Sequence, residues 1–301
     1  MKPRDLLDLV ILAMLWGGSF LFMRICAPAF GPVALIEWRV LIAALFLLPL
    51  LLARDGRQGL AHLHRHAGSL LLMGVGNSAL PFVLFAFAIL SITSGLAAVM
   101  NATAPLFAAV IGWLWLNERL RLPQVAGLLL GLAGVATLVW DKLSWAPAGA
   151  APMSDVPGRV PGGAALAIVA ALAAGAAYGW AANYTRLRLA ELPPLVVATG
   201  SQIGAALALA PFAWFMQPAA PPSPAAWLGV LALGIGCTGL AYILFFRLIN
   251  RAGVTRAISV TFLVPVFGVL WGALFLGEQV TWPMVGGALV VLAGTALVAR
   301  R

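Results

Sequence analysis

Charge is what this sequence has least of. Only 9% of its residues are Asp, Glu, Lys or Arg, and acids are the scarcer kind, nine against 18 bases. A soluble domain of this length needs about a quarter of its residues charged to solvate its surface, so water is not its main solvent. Cysteine is almost absent: Cys26 and Cys237 sit in or beside apolar runs and supply no disulfide framework. No Walker motif, nucleophile elbow or HExxH occurs, so an ATP-driven pump or a protease has no support. The apolar runs also lack the alternation of apolar and polar residues that a transmembrane β-barrel needs.

What remains is apolar. Hydrophobic residues make up 63% of the chain, in runs separated by short polar or Gly/Pro punctuation. Ten such runs fall near 6–26, 33–53, 68–90, 95–116, 123–140, 163–185, 194–216, 226–248, 257–276 and 282–299. Each has roughly the 17–25 residues that cross the hydrocarbon as a helix. The expected fold is therefore an all-α integral membrane protein, its Ala, Leu and Gly suited to close packing within the lipid bilayer. The opening MKPRDLLDLVILAML could pass for a signal peptide. Its apolar run is too long for one and no small-residue cleavage motif follows, so an uncleaved first span is expected.

The net charge of +9 invites a nucleic-acid reading, and its distribution argues against one. Lys2, Arg4, Arg54, Arg57, Arg65, Arg119, Arg121, Arg186, Arg188, Arg247, Arg251, Arg256, Arg300 and Arg301 all fall at one set of alternate ends. The opposite loops hold only Lys142 and Arg159. That is the positive-inside pattern, which puts both termini in the cytoplasm and leaves no role for nucleic acid.

The chain reads as one unit written twice. A shift of 160 lays LFAAVIGWLWLNERL (106–120) on VFGVLWGALFLGEQV (266–280), with Pro105 on Pro265, Gly112 on Gly272 and Glu118 on Glu278. The same shift lays 73–87 on 233–247, and a shift of 162 lays WGGSFLFMR on YGWAANYTR. Residues 1–140 and 163–301 are thus expected to be repeats of five helices each, joined by a linker, 141–162, on the extracytoplasmic side. An odd number of spans inverts the second repeat, a design typical of secondary transporters, around a central cavity. Glu118 and Glu278 end apolar runs just before Pro123 and Pro283. Their expected role is structural, each meeting the free N–H groups that open the next helix.

The stretches LWGGSF and EWR, with the paired blocks P…NERL…P…G and P…GEQV…P…G, resemble the EamA-type proteins of the drug/metabolite transporter superfamily. The likeness covers nearly the whole chain. It implies a bacterial inner-membrane carrier that exports metabolites, often amino acids. Some relatives move nucleotide sugars or other solutes, so the resemblance leaves the substrate open.

A carrier needs polar groups at membrane depth facing a cavity, because lipid-facing ones are costly. Asn77, Ser78, Pro81 and Phe82 on the third span match Cys237, Thr238, Ala241 and Tyr242 on the eighth. Asn101 and Pro105 on the fourth match Thr261 and Pro265 on the ninth. Pro81, Pro105 and Pro265 are expected to kink their helices. The first and sixth spans add Trp16, Ser19 and Phe20, and Trp180, Asn183 and Tyr184, each set on one helical face. Any one of these polar groups could equally be a fastener between helices, and any aromatic an interfacial anchor, as Trp113 and Trp115 are expected to be.

Arg24, Glu37 and Arg39 can reach the outer headgroups by snorkelling. Arg39, the deepest, resembles an arginine of the family; it could meet a substrate carboxylate or pair with Glu37, and the pair is slightly favoured. HLHRH (62–66) has no Cys or acidic cluster beside it and reads as a solvated loop, so no metal and no cofactor is expected, nor any catalytic residue. With no carboxylate near the middle of a span, facilitated diffusion or exchange fits better than proton antiport through a buried acid. The leading expectation is a secondary transporter exporting small amphipathic metabolites, with amino acids foremost. Uptake or exchange of another solute, a membrane-embedded lipid enzyme and a channel stand behind it. The sequence leaves the oligomeric state open.

Overall fold

The computed structural model describes residues 2–143, 163–218 and 220–299. Among them ten helices are long and apolar enough to cross a membrane. They are α1 (Pro3–Phe30), α2 (Pro32–Arg65), α3 (Ala67–Ala88), α4 (Ser94–Leu116), α5 (Leu122–Trp140), α6 (Gly163–Arg188), α7 (Pro194–Phe215), α8 (Pro224–Ala252), α9 (Arg256–Leu276) and α10 (Trp282–Ala299). No strand occurs among the described residues. The linker expected at 141–162 lies outside the described residues from 144 onward.

In lipid every backbone polar group must be satisfied within the chain, which leaves the helix as the form an apolar run can take. Prolines at the first turns of α2, α7 and α8 (Pro32, Pro194 and Pro224) cost nothing there, where the N–H would be orphaned. The hydroxyls of Thr93 and Ser223 accept from the Leu96 and Ala226 amides at 3.2 Å and so cap α4 and α8. Two ends are built alike. Asn117 and Gly277 turn left-handed (φ 55° and 64°), and the amides of Glu118 and Glu278 reach back to the Gly112 and Gly272 carbonyls at 3.3 and 3.1 Å.

The helices follow the apolar runs, with one extension. α2 runs past its expected stop near 53 and continues to Arg65, bent at Gly56 (φ 51°, ψ −131°). HLHRH is therefore helical as far as Arg65, with the His62 and His66 rings stacked 6.4 Å apart, and not a loop. The bend lets Leu63 pack against the buried cluster that holds Leu51 and Leu70, which holds the extra turns down.

Four spans are interrupted, three of them within the span and α9 near its start. α3 and α8 widen into π-helix at Val75–Ala79 and Ala232–Leu240, the same register of the two repeats. In α3 the cause is Pro81, which cannot donate to the Asn77 carbonyl. In α8 that place holds Ala241; there the Thr238 hydroxyl donates to the Leu233 carbonyl at 2.8 Å, five residues back, and fills the widened turn. α4 breaks at Ala102–Thr103, just before Pro105, and α9 breaks at Ser259. Pro265 itself lies inside the unbroken helix Val260–Leu276, so the expected kink in α9 falls earlier than the proline.

Packing follows the repeat. Gly17 of α1 sits against Phe267 and Gly268 of α9, where a Cβ would come 2.7 Å from that of Phe267. Its equivalent Gly179 of α6 sits against Phe107 and Ala108 of α4, where a Cβ would come 2.8 Å from that of Phe107. Gly74 of α3 approaches the Ser201 backbone of α7, and Gly234 of α8 approaches the Arg39 backbone of α2 in the same way. Small residues at crossings let lipid-embedded helices gain dispersion contacts that the hydrophobic effect does not supply between them. The outer surface is apolar: Trp282 is 88% exposed and Phe215 85%, sites for lipid rather than water.

Candidate functional site

The mid-depth polar groups of the two repeats meet, though not all as expected. Asn77 of α3 donates from Nδ2 to the Tyr242 hydroxyl of α8 at 3.0 Å. Its neighbour Ser78 is fully buried and accepts from Gln202 Nε2 of α7 at 2.9 Å. Thr238 accepts from Arg39 Nε of α2 at 3.0 Å. Phe82 lies under that guanidinium, 3.8 Å from ring centroid to carbon, and its ring meets Tyr178 of α6 edge-on at 6.4 Å. Asn77, Phe82, Thr238 and Tyr242 thus gather with Arg39 and Tyr178 where α2, α3, α6 and α8 approach. Cys237, also expected here, is buried.

Aromatic rings flank this cluster on two sides. Trp16 packs on Phe245 at 5.3 Å, and Tyr242 stacks on Phe246 at 5.9 Å. Trp180 lies between Tyr184 at 4.9 Å and Trp115 at 6.3 Å, all nearly parallel. Trp115, expected to be an interfacial anchor, therefore belongs to a stack that includes an expected cavity residue. Trp16, Trp180 and Tyr242 are only half-buried.

Other expected residues take structural positions. Asn183 is buried, donating to the Ala108 carbonyl at 2.9 Å and the Gly179 carbonyl at 3.0 Å while accepting from Arg186 at 3.1 Å. It fastens α6 to α4. Thr261 donates to the Ile258 carbonyl of its own helix at 2.8 Å. Asn101, half-buried, and Ser19, buried, make no side-chain hydrogen bond among the described residues. The pairing of Arg39 with Glu37 is not made: the two side chains leave the helix on different faces, and Glu37 Oε2 is buried without a partner. Arg24 donates to the Ile89 carbonyl, tying α1 to the end of α3 instead of snorkelling.

The two glutamates are corrected in their targets. Glu278 closes on the helix opening α4, accepting from Ser94 N at 2.7 Å, Ser94 Oγ at 2.9 Å and Gly95 N at 3.1 Å, and not on the following helix α10. Glu118 pairs with Arg186 at 2.7 Å, both half-exposed. Helix-opening amides attract carboxylates wherever the fold brings them, and sequence proximity does not choose the helix.

Gln202, with Thr199 and Ser201 beside it in α7, is a buried polar group outside the expected set. The signal is present in TGSQIG, but the repeat lays Gln202 on Val40, so a search guided by matching polar positions finds nothing. Two apolar grooves, about 240 and 150 Å³, lie along α7 against α3 and against α2. No expected site residue lines either.

The model of the EamA-like transporter family matches residues 6–140 and again 165–300. The chain belongs to the EamA-like transporter family. This EamA-like protein is 25% identical over 301 residues to the uncharacterized transporter YvbV of Bacillus subtilis (strain 168), covering 99% of this chain and 92% of that protein. It is 24% identical over 311 residues to the probable amino-acid metabolite efflux pump of Salmonella typhimurium (strain LT2), covering 98% of this chain and 94% of that one. The aromatic amino acid exporter YddG of Ancylobacter novellus is 32% identical over 155 residues, 51% of this chain and 49% of its own. A solved crystal structure superposes with a TM-score of 0.64 at 22% identity, covering 99% of this chain and 96% of the other, a likeness of fold. The EamA-like chain is accordingly a multi-pass membrane transporter handling a small-molecule substrate within the bilayer.

Proposed function

We propose that this transporter exports small amphipathic metabolites, amino acids with aromatic or apolar side chains foremost, by alternating access to one site between the two repeats. The observation that carries the reading is the mid-depth cluster joined across the halves by the Asn77–Tyr242 bond and flanked by half-buried Trp16 and Trp180. Rings offer stacking surface, and a few convergent polar groups fix orientation, the usual composition of a small-molecule site. The two family matches and the equivalent glycine crossings support an inverted pair of five-helix repeats, 1–140 and 163–301. The relatives named as an aromatic amino acid exporter and an amino-acid metabolite efflux pump support the substrate class.

The positive-inside rule puts the basic helix ends and both termini in the cytoplasm of a bacterial inner-membrane protein. Reporter fusions at Arg301 and within 144–160 should then give opposite answers. Substrate class is tested by counterflow in proteoliposomes, with phenylalanine, leucine and a nucleotide sugar each loaded inside. Exchange of the amino acids is expected. Exchange of the nucleotide sugar alone would overturn the reading.

A further inference from the structure

Arg39 enters the bundle interior with no acid to meet it. The residue is 3% exposed. Its Nε donates to Thr238 Oγ1 at 3.0 Å, its Nη1 reaches Met23 Sδ at 3.7 Å, and its face covers the Phe82 ring. All three partners are neutral. Among the described residues the ion pairs use Arg54, Arg186, Arg247 and Arg251, and none reaches Arg39. Nη2 donates to no described residue. The sealed side-chain atoms without a hydrogen-bond partner are Asp8 Oδ2, Glu37 Oε2, Thr199 Oγ1 and Gln202 Oε1, and Nη2 is not among them.

A guanidinium held this way is unusual. Taking a cation out of water is costly unless an anion and further hydrogen bonds compensate it. A cation–π contact and one hydroxyl recover part of that cost and leave the net charge standing. Those contacts also fix the guanidinium plane, so one edge remains free and aimed. That edge is what a carboxylate needs for a charge-assisted hydrogen bond. Tyr178 packs against Phe82 and Phe85 beside it, and Tyr242 carries the Asn77 bond that joins the halves. The repeat sets Ser201 where the first half has Arg39, so the site has one positive pole and not two.

We propose that Arg39 is the anion-binding residue of the carrier: the transported solute bears a carboxylate that docks on Nη2 beside Thr238, with its apolar part towards the flanking rings. This rests on the reading of the bundle as a carrier of amphipathic solutes, and narrows it. Amphipaths without an anionic group, amines and amides included, are poorer substrates.

The test uses the full chain in proteoliposomes and four probes of similar shape: L-phenylalanine, phenylacetate, L-phenylalaninamide and phenethylamine. Both acids should exchange, and the amide and amine about tenfold more slowly or worse, the factor one charge-assisted hydrogen bond supplies. Arg39→Gln should lose exchange of the acids about tenfold, and Arg39→Lys should retain part of it. Equal exchange of all four probes, or an Arg39→Gln protein that exchanges acids at the original rate, overturns the proposal and leaves the carrier reading intact. A check that needs no transport is stabilisation by ligand: phenylacetate should raise the melting temperature of the unsubstituted protein and leave that of Arg39→Gln unmoved. Should none of the four probes exchange, the substrate reading fails by itself. An Arg39-dependent shift with phenylacetate would then still support the anion site, and its absence would overturn it.

Discussion

At one end of the bundle Glu278 closes on the amides of Ser94 and Gly95, while at the other its repeat partner Glu118 stands half-exposed against Arg186. The residues around them differ in the same sense. Ala98 of α4 is fully buried, and Ile258, which the repeat sets in its place at the start of α9, is 43% exposed. The glycine crossings do not differ: Gly17 on α9 and Gly179 on α4 are packed alike. So α1 with α9, and α6 with α4, keep their contacts while the helix ends diverge, and the breaks at Ala102–Thr103 and Ser259 lie where such units could bend. On the alternating access proposed above, such a contrast is what a state closed at the Glu278 end and open at the other would give. Sequence contributes too, since Ser94 offers a hydroxyl where the repeat has Val254.

The largest expected effect strikes what the halves share. Gly17→Val and Gly179→Val should each destabilise by about 3 kcal/mol, because a side chain there must force apart a pair of backbones that have little room to move. Melting temperature and folded yield should fall alike for both, and tolerance of one alone would break the equivalence of the crossings.

How much of this is legible in the sequence varies with distance along the chain. The spans are, because an apolar run is a local signal and lipid leaves it one fold. The doubled Asn-Glu and Gly-Glu ends are too, since Pro, Gly and Glu recur at one offset. What α2 does after Gly56 is not, because its extra turns are held by a cluster assembled from α3, α6 and α7. Nor is the target of Glu278: a carboxylate reads locally as a cap for the next helix, whereas Ser94 lies 184 residues away. Arg39 stands out in the sequence, but its neighbour Glu37 looks like its partner. Helical geometry points the two apart, and Thr238, from the other repeat, takes that place.

The glutamates come next in size and test the contrast itself. Glu278→Ala leaves two amides and a hydroxyl unmet and should cost about 2 kcal/mol of stability. Glu118→Ala removes an exposed pair and should cost under about 1 kcal/mol. Melting curves of the two variants give the difference, and transport per folded molecule should change less than yield. Equal losses would mean the two ends are not in unlike states.

Asn183→Leu is milder than Glu278→Ala. It copies Leu21, which holds this place in the first repeat, and deprives the Ala108 carbonyl of a donor. A loss of about 1 kcal/mol is expected, read again from the melting temperature. No loss would show that the fastener between α6 and α4 is dispensable.

Thiol labelling at the two equivalent positions addresses the alternation most directly. Cys26 and Cys237 are buried, so single Ala98→Cys and Ile258→Cys variants in membrane vesicles report on the ends with little background. With a water-soluble reagent and no solute, position 258 should label from the cytoplasmic side while position 98 stays unreactive. A transported amino acid under exchange conditions should then raise labelling at 98 from outside and lower it at 258. Labelling that rises or falls together at both positions, or does not respond to transported solute, would contradict the account.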